Sequence, residues 1–316
     1  MPRGVPSLVA MNSTIARWLM LPLLLLIQAC SGFPFLDMGM AAWDGPKKGT
    51  PALWHVQGPN GGEAWLFGGI HALPADLKWI SPKMKKAMNE SDRLVLEVVG
   101  LEDSAEITKT FQELGNSPGQ PPLAERLPPA LRDKGEALRA ASRLSPSRFE
   151  TLESWAAAIS LAGAATANLA MVREEGVERV LAARYRRRDK PVIGLETPAR
   201  QFTYFDQLDE ADQRAMLESV IADADNAPKA YRDMVTSWLK GEPEKLAEAA
   251  NRGLLERPQI RERILVRRNR DWAAQIEDLL SLGAKPFVAV GAAHLAGSDS
   301  VQALLEAKGY KVTRLQ

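Results

Sequence analysis

The chain has 316 residues, 46% hydrophobic and 25% charged, which is enough apolar material for a sizeable core in a soluble globular fold. A formal net charge of +1 lacks the basic surplus that nucleic-acid binders concentrate, which excludes nucleic acid as the main partner. Cys30 is the sole cysteine, so no intramolecular disulfide can form.

The first thirty residues hold Arg3 and Arg17, no acid, and then "WLMLPLLLLIQAC". This run is short for a membrane span but suits the apolar region of a secretory signal, with Met11 as an alternative start. "LIQAC" is similar to a bacterial lipobox, with Ala29 before Cys30 and Gln28 where a smaller residue is usual. Residues 1–29 are therefore expected to be a lipoprotein signal peptide, and Cys30 the lipidated, palmitate-bearing residue. Acylation would also remove the liability of an unpaired thiol in an oxidising compartment. Ser31 after the cysteine, by similarity to bacterial lipoproteins, favours an outer-membrane anchor facing the periplasm. Residues 30–50 lack a sustained period and read as a flexible tether with some anchoring aromatics.

The folded domain is expected over 51–316. "ALWHVQ" and "EAWLFGG" flank "GPNGG" as a β-hairpin, and His55 within it reads as strand-face packing or surface. "SPKMKKAMNESD" reads as a helix with Ser81 as N-cap and Pro82 in its first position. "RLVLEVV" (93–99) returns to a strand. A largely helical middle, about 101–282, follows, with loops at "GNSPGQPP" and "RLPP". "WAAAISLAGAATANLAM" (155–171) is apolar all round and reads as a buried helix rather than a membrane segment. The basic run Arg184 to Pro191 lies at a helix end, where solvated cations complement the dipole. "KPVIGLE" is a short strand ending on an acid. Further helices fill 207–282, with breaks near Gly241-Glu242-Pro243 and Arg257-Pro258. "KPFVAVG" is a strand, "SDSVQALLEAKG" a helix capped by Ser298 or Asp299, and "YKVTRL" a last strand. The pattern predicts an α/β fold: a mixed β-sheet with flanking helices and a large, mainly helical middle insertion or cap.

In open α/β sheets, ligands bind beyond the carboxyl ends of strands. His71, Glu97, Glu196 and His294 all fall at or just past predicted strand ends. The two histidines share a spacing, Gly68-x-x-His71 and Gly291-x-x-His294. Gly68 and Gly291, with Gly69, allow tight backbone or close approach where each strand stops. A carboxylate inside "LVLEVV" needs a cation, a hydrogen-bond network or solvent. Two imidazoles with one or two carboxylates make a plausible site for zinc, manganese, cobalt or iron. Such an ion could lower the pKa of an attacking water, with the remaining carboxylate as general base. No HExxH, GxSxG or Walker signature is present.

The ordered set "LWHVQ…AWLFGGIHALP", "SDRLVLEV", "KPVIGLET", Gln201, "RRNRDW" and "FVAVGAAHLAGSDSVQALLEAKGYKV" resembles the TraB/GumN family across residues 52–316. That resemblance implies kinship with the Tiki metalloproteases, membrane-associated peptidases that depend on manganese or cobalt. Carried over by position, the family's two GxxH elements match Gly68 with His71 and Gly291 with His294, and its two acids match Glu97 and Glu196. Its Arg-Asn element ahead of a tryptophan matches Arg268 and Asn269, before Trp272, although Arg267 stands where the family often has an acid. Arg268 is then placed to steady a carboxylate or an oxyanion and Asn269 to orient a ligand or substrate; helix capping or surface contact is the alternative for both. The leading expectation is an envelope-tethered, metal-dependent hydrolase, a peptidase with a peptide or protein substrate. Its divalent ion (manganese, cobalt or zinc) would be held by His71, His294 and Glu97 or Glu196, and the other glutamate would activate water. The alternative is a non-catalytic lipoprotein that binds a peptide or signal ligand.

Overall fold

The computed structural model describes residues 43–100, 104–169, 171–251 and 253–316. Residues 1–29, expected as a signal peptide, and Cys30, expected as the lipidated residue, lie outside the described residues. Strands β1 (Leu53–Gln57) and β2 (Glu63–Gly69) form the expected hairpin, in register from Leu53 opposite Phe67 to Gln57 opposite Glu63. His55 stacks on Trp65 at 5.4 Å between ring centres, as strand-face packing. Helix α1 (Pro82–Glu90) starts as its sequence demands: the Ser81 hydroxyl accepts the Met84 N–H at 3.1 Å, and Pro82 takes the first turn, where no N–H is needed. Strands β3 (Arg93–Val98), β4 (Val192–Glu196), β5 (Pro286–Gly291) and β6 (Lys311–Arg314) complete a six-stranded sheet in the order β4-β3-β5-β2-β1-β6. The first four of that order run parallel, and β1 is antiparallel to both of its neighbours.

Between β3 and β4 come helices α2 (Ser104–Gly115), α3 (Arg132–Ala141), α4 (Ser154–Thr166) and α5 (Val177–Arg186). Between β4 and β5 come α6 (Pro198–Asp206), α7 (Glu210–Asp223), α8 (Ala227–Leu239), α9 (Pro243–Asn251) and α10 (Arg267–Ser281). Helix α11 (Val301–Ala307) precedes β6, and its N-cap is Ser300, which accepts the Ala303 N–H at 3.3 Å. That corrects the expected Ser298 or Asp299: the main-chain carbonyl of Asp299 faces Asn269 instead.

Alternation along the strands splits the sheet into two buried faces, as parallel strands require. Trp65, Phe67, Leu94, Leu96 and Phe287 pack against α1, α5 and α8 on one side. Val56, Leu66, Val95, Val288 and Val290 pack against α10 and α11 on the other. A third core, centred on Trp155 with Phe111, Phe202 and Phe205, belongs to the helical middle region. Helix α4 is buried around nearly its whole circumference because it runs through that core. Its hydroxyls are satisfied within the helix, Ser160 on Ala156 O at 2.8 Å and Thr166 on Ala162 O at 2.9 Å. Among the described residues no helix is long and apolar enough to cross a membrane.

Two features depart from the sequence expectation. The stretch expected as tether is docked from Trp43 onward: its ring meets Tyr231 edge-on at 6.2 Å, and the Thr50 N–H donates to Leu239 O at 2.7 Å. The second concerns α10, which a turn of α-helix (Pro258–Arg261) and a π-helical turn (Glu262–Val266) lead into without a break. The wider turn ends at Val266, one residue short of Arg268 and Asn269, a placement typical of π-turns near functional positions.

Candidate functional site

The two GxxH elements have a joint explanation in the sheet. Strands β2 and β5 are parallel neighbours, with Gly68 beside Val290 and Gly69 beside Gly291. The chain thus leaves both strands at the same level, and both following loops present a histidine at one edge of the sheet. Gly68 is needed for close approach, since a Cβ there would lie 3.0 Å from the Cα of Ala292. Gly291 has an ordinary φ of −52° and contributes its N–H, which donates to Glu97 Oε2 at 3.3 Å. Glu97 is the last residue but one of β3 and Glu196 ends β4, where Val98 pairs with Glu196. All four residues expected at the site are buried together at the carboxyl ends of the parallel strands, the glutamates within the last residues of β3 and β4 and the histidines just past β2 and β5, with Arg268 and Asn269.

Arg268 is the centre of the group. Its Nε donates to both oxygens of Glu196 at 3.0 and 3.2 Å, and its Nη2 donates to Glu196 Oε2 at 2.9 Å and to Glu97 Oε1. The indole N–H of Trp272 donates to Glu196 Oε1 at 2.9 Å, so both oxygens of Glu196 are committed. The guanidinium lies 4.7 Å from the Trp272 ring centre and 5.5 Å from that of Tyr204, which fixes its plane. Glu97 Oε1 also accepts the Gln201 amide at 2.6 Å. Burial opposes charge on Glu97, but Arg268, with His294 and His71, outweighs it and holds this carboxyl at about 2. The same two carboxylates hold Arg268 above its ordinary value despite its burial.

Asn269 settles the tautomer of His294. Its amide donates to Asp299 O at 2.7 Å, so its oxygen faces His294 Nδ1 at 2.5 Å and accepts that N–H. The Nε2 lone pair is then turned toward Arg268 Nη1 at 3.4 Å. Burial, and after it Arg268, push His294 down to about 3, leaving the ring neutral. His71 is the opposite case. Burial works against its protonation, yet Glu178 by charge and hydrogen bonding, and then Glu97, raise it above the ordinary value against Arg268. His71 Nδ1 lies 3.0 Å from Glu178 Oε1, and its buried Nε2 has no partner among the described residues.

The sign of the resulting pH dependence follows from the depressed groups. With His294 at about 3 when folded and 6.5 as its ordinary value, the unfolded chain binds the extra proton in that window. Stability should therefore fall as pH drops from about 6.5 toward 3, by up to about 1.4 kcal/mol per pH unit. Glu97 adds to the fall from its ordinary 4.5 down toward about 2. Urea melts across pH 4–8 read the slope, and a His294→Gln protein that retains the full slope above pH 5 would contradict the assignment.

The donor chemistry suits a divalent ion in kind. His71 and His294 both have Nδ1 near an oxygen acceptor and Glu97 is a firm anion, but only His71 Nε2 is without a partner among the described residues, since His294 Nε2 faces Arg268 Nη1. Yet among the described residues no three His, Cys, Asp or Glu side chains are grouped closely enough to hold an ion. Arg268 supplies the positive charge that the carboxylates face, and Glu196 belongs to Arg268 rather than to the open donor set. Sequence reasoning missed Glu178 as the partner of His71, and used Gln201 only as a point of resemblance. The absence of a second acid beside His71 in sequence left no signal for Glu178, which reaches it from α5.

Two relatives, each named uncharacterized protein YbaP, extend over most of the chain. The Shigella flexneri protein is 23% identical over 251 residues, covering 78% of this chain and 89% of its own length. The Escherichia coli K12 protein is 23% identical over 244 residues, covering 76% and 86%. No solved structure matches the chain. A family model described as TraB/PrgY/gumN matches residues 52–314, from the start of the β1–β2 hairpin to the end of β6. With both histidine loops, both strand-end glutamates and the Arg-Asn pair inside that span, the chain belongs to the TraB/PrgY/gumN family.

Proposed function

We propose that this protein is a divalent-metal-dependent hydrolase of the cell envelope, a peptidase, with its site at the ends of β2, β3, β4 and β5. The observation that carries this reading is the pair of buried imidazoles, with Nδ1 at 3.0 Å from Glu178 Oε1 in His71 and at 2.5 Å from Asn269 Oδ1 in His294, and the Nε2 of His71, unpartnered among the described residues, near the Glu97–Arg268 pair. His71, His294 and Glu97 would hold the ion, manganese, cobalt or zinc. When bound, it would polarise a scissile carbonyl and acidify a water molecule. Arg268, fixed by Glu196 and by the Trp272 ring, keeps a positive charge in a buried site, the preorganised kind that stabilises a developing oxyanion. Glu97 Oε2, which among the described residues takes only the long bond from Gly291, is the carboxylate oxygen best placed to receive an ion or a proton.

The envelope location rests on the signal-like residues 1–29 and the lipobox-like "LIQAC". On this reading Cys30 carries palmitate and tethers the domain to the outer membrane on its periplasmic side. Labelled palmitate incorporated by the wild type but not by Cys30→Ser tests it. For the chemistry, the chain beginning after Cys30 is purified without chelators or a histidine tag and its metal content measured by mass spectrometry. Near-stoichiometric ion that is lost in a folded His71→Ala/His294→Ala protein, together with peptide cleavage, is the expected result. No ion after incubation with manganese, cobalt and zinc, and a stable complex with intact peptide, would make the protein a binding lipoprotein instead.

A further inference from the structure

We propose that Glu178 is a positioning residue that fixes His71 as the Nδ1–H tautomer and so dedicates His71 Nε2 to the site. The inference rests on the metal-site reading above only for what Nε2 receives. Glu178 Oε1 and His71 Nδ1 are 3.0 Å apart, their side chains are 4% and 6% exposed, and neither atom has a hydrogen-bond partner among the described residues. An N–H on Nδ1 turned to this carboxylate is the arrangement that leaves the buried pair without two facing lone pairs.

The backbone around the contact is built to keep it. The Val177 N–H donates to Ile70 O at 3.0 Å, and Leu73 and Val172 exchange main-chain bonds at 3.2 and 2.8 Å, so the His71 loop is pinned on both sides to the segment that carries Glu178. Two glycines make the approach possible: a Cβ on Gly69 would lie 2.8 Å from Glu178 Oε1, and one on Gly176 would lie 2.0 Å from the His71 carbonyl oxygen. Glu178 stands in the first turn of α5, where the helix N-terminus favours its negative charge. The second imidazole has the same arrangement with a neutral acceptor, Asn269 Oδ1 on His294 Nδ1. His71, with a carboxylate behind it, is the more basic donor of the two.

With three histidines in the chain, imidazole 15N signals can be assigned by single substitutions. Metal-free wild type, Glu178→Gln and Glu178→Met are compared by long-range 1H–15N spectra at pH 8.5, each checked for cooperative unfolding. The wild type should show His71 protonated on Nδ1. Gln, whose amide oxygen still accepts, should keep that tautomer, and Met should lose it. Divalent-ion affinity should fall roughly 10- to 100-fold in a folded Met protein, and less in Gln. A His71 that is protonated on Nε2 in the wild type, or a Met protein with tautomer and affinity unchanged, overturns the proposal. Should Met not fold, a Gln protein with wild-type affinity would count against it. A wild type that binds no ion but shows the Glu178-dependent tautomer sinks the metal reading and leaves the role of Glu178 standing.

Discussion

Arg268→Met should destabilise the folded protein by about 3–5 kcal/mol, the cost of removing one partner from a buried charge group. Methionine fills much of the same volume, so the loss isolates the charge and its donors. Glu97 and Glu196, 2% and 4% exposed, would be left side by side with the indole of Trp272, the amide of Gln201 and the Gly291 N–H as their remaining donors. The variant should regain part of its stability as pH falls, because protonating one carboxyl relieves the repulsion. The wild type moves the other way, losing stability as acid reaches its depressed groups. Lysine is a poor substitute, since a single ammonium cannot reproduce the contacts that Nε, Nη1 and Nη2 make to Glu196, Ile264 O and Glu97. Urea unfolding at pH 5 and pH 7.5 measures both effects, and a cost below about 1 kcal/mol at pH 7.5 would show that the network is marginal.

The two glutamates, which sequence alone treats as interchangeable, should separate when each is changed to glutamine. Glu97→Gln is expected to abolish ion binding and to lower turnover by roughly 10²-fold or more, with a smaller loss of stability. Arg268 keeps its contacts to Glu196 in that protein, but the anion facing both imidazoles is gone. Glu196→Gln should retain measurable ion binding while losing stability, because its amide cannot accept from Arg268 and Trp272 as the carboxylate does. Titration of manganese into both folded proteins decides it. Equal affinities would mean that the distinction drawn from Arg268 is false.

What was legible in the sequence was whatever a strand pattern and a glycine could carry. His71, Glu97, Glu196 and His294 were placed at strand ends because each follows an apolar run, and the register of β2 with β5 shows why the glycines recur. Arg268 and Asn269 came from the resemblance, and the structure gives both roles that no spacing encodes: one bridges two glutamates, the other sets a tautomer. The acid sites themselves did not reveal that Arg268 and Trp272 commit both oxygens of Glu196, since that depends on where α10 crosses the sheet. The π-turn of Glu262–Val266 has no residue signature, being a matter of hydrogen-bond register. Glu178 was hidden because an acid in the first turn of a helix has an ordinary explanation there. The break at Ala224–Asn226 that separates α7 from α8 was missed for a similar reason, as alanine continues a helix readily.

The docked stretch Trp43–Thr50 determines where the domain would take up mechanical load. A chain drawn from the direction of Cys30 would pull first on the Trp43–Tyr231 contact and the Asp44–Arg232 ion pair. Behind these lie the main-chain bonds that join Lys47 and Gly49 to Lys78, and Thr50 to Leu239. Tension along the leader would thus be shared between the loop before α1 and the end of α8 before it reached β1. This fastening sits at the end of the sheet that carries the histidine loops, where Leu53 of β1 pairs with Phe67 of β2 and the Trp238 indole donates to Gly68 O, so a pull from the N-terminal side would load the edge of the site itself.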